Sequence, residues 1–133
     1  MKLSRFSLVL AGAFLLVAGG TALAMHDAIE QIMEKGFKKG GLRHNLSTEV
    51  DKDAPNWSEV QKNSQEFVKL CEELCKQDPP KGEKESWKKL TEGVTKEAKK
   101  LGDLAGKKDL ANAKATMAKI NGSCKACHDV HRE

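Results

Sequence analysis

Apolar residues recur along this chain at spacings of three and four, the period of a helix buried on one face, and nowhere alternate as they would in a strand. In "MHDAIEQIMEKGFKKGG" the positions Ile29, Ile32, Met33 and Phe37 share one face, and Gly40-Gly41 is expected to stop the helix. Asp53 with Pro55 is read as the opening of a second helix that runs to about Gln77, with Trp57, Val60, Phe67, Leu70, Cys71 and Leu74 inward. Between these two, "LRHNLSTEVDKDAP" carries no sustained apolar stripe and reads as a loop. "DPPKG" is a turn that no helix crosses. A third helix is predicted from near Glu83, with Trp87, Leu90, Val94, Ala98 and Leu101 inward, closing at Gly106 and the lysine pair after it. Asp109 is placed to cap a fourth, whose inner face is Leu110, Ala113, Met117, Ile120 and Cys124. Four amphipathic helices with mostly short connections predict an all-α fold, an antiparallel up-down four-helix bundle.

The first 24 residues stand apart from this pattern. Lys2 and Arg5 precede an almost wholly apolar run from Phe6 to Ala18, and Ala22 and Ala24 are the small residues a signal peptidase inspects. The run is shorter than the ~20 residues a membrane span needs, so residues 1–24 are read as a cleaved signal peptide and no stable membrane insertion is expected afterwards. The mature domain is then 25–133, exported and, in a bacterium, periplasmic. Removing the two basic residues of the leader leaves 21 basic against 19 acidic side chains. No basic run with interleaved aromatics points to nucleic acid, and the lysine pairs read as solvated helix faces.

Export changes how the four cysteines read, because free thiols persist poorly in an oxidising compartment. Cys124, Cys127 and His128 spell C-x-x-C-H, the attachment signature for covalent haem. Thiols three apart on a helix lie on one face, so both can add across the two vinyl groups on one edge of a porphyrin. His128, next in sequence, then serves as an axial iron ligand. Haem c, one per chain, is therefore the expected cofactor, attached near the C-terminus of the last helix, and folding of so small a mature chain is expected to depend on it. Two other readings of the cysteines remain at this point. A zinc site would use Cys71, Cys75, Cys124 and Cys127 as a four-thiolate cage in a structural protein. A redox-active C-x-x-C would need a βαβ context, which the pattern lacks. Cys71 and Cys75, at i and i+4, are slightly favoured as a strained disulfide over two buried thiols.

Elimination narrows the ligand on the other side of the iron. Met117 and His131 share the haem helix with His128, and Met117 lies about 16 Å back along its axis. Met25 and His26 sit at the start of the mature chain, and His44 falls in the expected loop. Met33 alone is in mid-helix on an apolar face, so it is the expected distal ligand, weighed against a space-filling core methionine.

"APNW", "DPPKGEKESWKKL" and the terminal CxxCHxxxR of "CKACHDVHR" together resemble the class II c-type cytochromes, the cytochrome c-prime family. That resemblance implies an antiparallel four-helix bundle, often a homodimer, with Arg132 near the haem and the proximal His128. Its six-coordinate members take a Met from the first helix and transfer electrons to redox partner proteins, a pattern Met33 matches. Its five-coordinate members leave the distal site open and bind nitric oxide or carbon monoxide. The chain departs from the family in lacking an Arg before Met33, in having His131 where an aromatic often stands, and in its extra C-x3-C. The expected function is electron transfer by a monohaem cytochrome and not an enzymatic reaction, with gas binding the alternative.

Overall fold

The computed structural model describes residues 20–132, and every element in that range is helical. Helix α1 spans Gly20–Ile32 and continues without a break into a π-helical turn, Met33–Phe37. Helices α2 (Leu42–Val50), α3 (Trp57–Cys75), α4 (Lys84–Lys107) and α5 (Leu110–His131) follow. Residues 1–19 of the expected signal peptide lie outside the described residues. No described helix is long and apolar enough to cross a membrane.

The helix starts follow their capping chemistry. Asn56 Oδ1 accepts from the Glu59 backbone N–H at 3.3 Å, so α3 begins behind Asn56 and not at Asp53. Asp109 caps α5 as its position suggests, accepting from the Asn112 N–H at 3.2 Å. The end of α4 falls on the expected lysine pair, Lys107 and Lys108. Gly106 stays inside the helix, and Lys108 takes the left-handed conformation, φ 55°, that ends it.

The long helices form the four-helix bundle, with α1 and its π turn as the first member. Cross-contacts run in opposite sequence directions, as antiparallel neighbours require. Between α3 and α4, a Cβ at Gly102 would lie 3.6 Å from Ser64 and one at Gly106 3.3 Å from Gln61, while Cys75 Sγ is 3.5 Å from Thr95 Oγ1. Between α4 and α5, Ser86 pairs with His131 and Glu97 approaches Lys119. Phe67, Leu101, Met117 and Ile120 fill the main core.

That core has a contributor the sequence pattern did not reveal. The segment read as a loop contains α2, and its Leu46 and Val50 are fully buried. Leu42, Leu46 and Val50 are spaced by four, a stripe one residue wide that satisfies a short helix lying across α3 and α5. On the other side, Gly36 is buried where a Cβ would meet Leu70 Cδ1 at 3.1 Å, so a glycine lets the π turn lie close on α3. Phe37 then stacks at a tilt on Phe67, ring centroids 5.0 Å apart.

Candidate haem site

Cys124, Cys127 and His128 occupy the last two turns of α5. Both thiols are partly buried and His128 is exposed. Cys127 packs against a second apolar cluster, separate from the main core. Ile32, Leu74 and Trp87 are its buried members, with Ile29, Met33, Phe37 and Leu70 partly buried around them. Met33 from the first helix and Cys127 from the last therefore border the same apolar wall.

Two of the other candidate ligands, Met117 and His131, are engaged elsewhere. Met117 is part of the main core. His44 lies in α2, with its carbonyl accepting from Thr48. His131 is only 1% exposed and hydrogen-bonded through both ring nitrogens.

Met33 has a local setting that periodicity did not anticipate. It opens the π turn, and the Lys38 N–H reaches its carbonyl five residues back at 2.8 Å. Such wide turns recur at functional sites. Arg43 fixes the turn to the haem helix. Its Nε donates to the Phe37 carbonyl at 3.0 Å and its Nη1 to Asn121 Oδ1 at 2.6 Å. Arg43 lies on α2, the segment without a sustained apolar stripe, so no periodicity in the sequence marks it.

The residues present suit a porphyrin. The wall offers partly exposed aliphatic, aromatic and thioether surface of the kind a flat apolar macrocycle covers. Trp87 Nε1–H is buried among these residues without an acceptor, an arrangement that costs about 1–3 kcal/mol unless a partner arrives. The Cys127 thiol is pushed up from its usual pKa by burial first and by Cys124 second, so it stays an S–H, the form that adds across a vinyl double bond. The C-x-x-C-H residues would hold the haem, and its iron would supply one-electron exchange.

Zinc fits poorly. Among the described residues no three His, Cys, Asp or Glu side chains converge to hold a metal ion, so the four thiols form no cage. Cys71 lies in the main core, and Cys75 faces Thr95 on α4. Burial, with smaller contributions from Cys75 and Glu72, pushes the Cys71 thiol up to about 12, the opposite of what a thiolate ligand needs. The two also form no disulfide, contrary to the favoured reading; both are free thiols in different surroundings. Two shallow depressions of about 420 and 530 Å³ lie along the α3–α4 seam, and neither is lined by a residue of the haem motif.

A helical bundle whose last helix carries C-x-x-C-H against an apolar wall has the arrangement a helical c-type haem protein needs. The family model for cytochrome c' matches residues 82–132, from the loop before α4 through Arg132, so the part of the chain that carries the haem motif is similar to the class II c-type cytochromes of the cytochrome c-prime family. No curated protein and no solved structure matches the chain.

Proposed function

We propose that this protein is an exported, periplasmic monohaem cytochrome that carries electrons between redox partner proteins and performs no substrate chemistry of its own. Cys124 and Cys127 hold haem c through thioethers, His128 is the proximal ligand and Met33 the distal one. The observation that carries this reading is the shared wall of Met33 and Cys127, with Met33 set on a π turn that Arg43 ties to the haem helix. A thioether opposite an imidazole is a weak donor that favours ferrous iron and raises the reduction potential. Ile29, Phe37 and Leu70 give that side apolar surface, and a ligand pair that persists through oxidation and reduction keeps rearrangement small.

The mature protein, made in a haem-maturing host, should begin at Met25 and weigh one haem more than its chain. Its ferric form should show the weak near-infrared band of sulfur-to-iron charge transfer. Met33→Ala should abolish that band, lower the potential, turn the ferric iron toward high spin and speed carbon monoxide binding. A wild type already high spin, with carbon monoxide binding unchanged in Met33→Ala, replaces this reading with five-coordinate gas binding.

A further inference from the structure

The last turn of a helix leaves carbonyls without intrahelical partners and opens readily. His128 stands on that turn, exposed, and its carbonyl is taken by the Arg132 N–H at 3.2 Å. An imidazole that must hold one orientation toward iron needs a firmer anchor than a helix end provides.

We propose that His131 is the positioning residue for His128, latching the haem-ligand turn of α5 to the loop before α4. The proposal rests on the haem reading above. One helical turn after His128 the ring of His131 is 1% exposed, while its neighbour Val130 is 44% exposed. The Lys81 carbonyl only accepts, so Nδ1 carries a proton and donates to it at 2.7 Å. Nε2 shares a hydrogen bond with the Ser86 hydroxyl, also at 2.7 Å, and that hydroxyl lies 3.2 Å from the Glu83 carbonyl. The ring meets Trp87 edge-on, centroids 5.3 Å apart and planes at 83°.

The loop is shaped around this ring. Gly82 has φ +81°, and a Cβ there would lie 2.9 Å from His131 Nδ1 and 3.0 Å from the Val130 carbonyl. Only a glycine lets the backbone pass so close in that conformation. An apolar ring could fill the same hole. Two directed hydrogen bonds do more, because they fix how far α5 is rotated about its axis. Residues three apart on a helix share a face, so that rotation also sets the direction of the His128 imidazole. Trp87 extends the latch to the wall that Cys127 borders, joining ligand orientation to the seat of a thioether.

The test uses the haem-loaded protein and two variants. His131→Phe keeps a ring against Trp87 and loses both hydrogen bonds; Ser86→Ala loses one. In the ferric protein the haem-methyl proton shifts report the plane of the axial imidazole, a quantity that a purely stabilising residue leaves alone. Both variants should redistribute those shifts and move the reduction potential, His131→Phe by more. Amide exchange in residues 128–131 should rise by roughly fivefold for each hydrogen bond lost. An unchanged methyl pattern and potential, with only a lower melting temperature, would overturn the proposal. Should His131→Phe fail to fold, Ser86→Ala decides by the same criteria. A wild type that attaches no haem removes the cytochrome reading and this proposal together, and is detected before any variant is compared.

Discussion

Cys71 and Cys75 are one helical turn apart and differ in almost every property that governs a thiol. Cys71 is fully buried in the main core, its thiol pushed up to about 12, whereas Cys75 lies at the end of α3 within reach of the Thr95 hydroxyl. Spacing alone could not separate them, because i, i+4 is compatible with a bond, with two core positions, or with one of each. The haem-loaded protein should therefore react with an alkylating agent first at Cys75, and at Cys71 more than about a hundredfold slower, since the thiolate is the reactive form. Denaturation without reductant should expose both to labelling. Protection of both under those conditions, read by mass, would restore the disulfide. Cys71→Ser should cost about 1–3 kcal/mol of stability by burying a hydroxyl in an apolar setting, and Cys75→Ser close to nothing.

Helix α2 shows what the hydrophobic pattern can and cannot reveal about an element. α3 and α4 carry wide apolar faces and were legible from periodicity. α2 has a stripe one residue wide, so its existence depends on the groove it fills and on its ends. Glu49, near its C-terminus, makes one of those ends. Its Oε1 accepts from the Asn56 N–H at 2.6 Å and its Oε2 pairs with Lys52 at 2.5 Å, joining α2 to the start of α3. The Lys52 contact, and after it the Asn56 N–H, hold this carboxyl below its ordinary value of 4.5. A depressed folded pKa means that the carboxylate contributes fully above that ordinary value and loses its contribution as pH falls through the folded one. Glu49→Gln should accordingly melt below the wild type at neutral pH, and the two curves should converge as pH falls below the ordinary carboxylate range. A gap independent of pH would show that the charge plays no part.

At the scale of the molecule the two apolar clusters divide the labour. The larger one joins α2, α3, α4 and α5 without any residue of C-x-x-C-H, while the smaller borders the haem motif and includes the side chains of α1. Helix class, bundle architecture and the C-x-x-C-H motif were all readable in the sequence, because each is local or periodic. The Arg43–Asn121 link and the His131 latch were not, since both join residues more than forty positions apart. The clusters also refine how folding depends on haem. Cys124→Ala with Cys127→Ala should keep most of the helical signal of α3 to α5, because their shared core is intact. Hydrogen exchange should instead accelerate in α1 and in the final turn of α5, which face the smaller cluster. Loss of all helicity in that double variant would mean that haem organises the main core as well.

The wide turn at Met33–Phe37 also bears on how this chain tolerates changes in length. A π turn holds one residue more than the α-helical turn it replaces, and here it closes the first helix, with Lys38 extended just beyond it. Removing a residue there shortens the helix and leaves Ile29 and Ile32 facing the same way. Removing one from the interior of α3 instead rotates everything beyond it by about 100° and carries half the core to solvent. Deletion of the exposed Lys35 should therefore give a folded protein, and deletion of the exposed Lys62 should not, as circular dichroism and a melting curve would reveal. The first helix of this bundle is thus the one in which a reading-frame-preserving loss of a single codon is expected to survive.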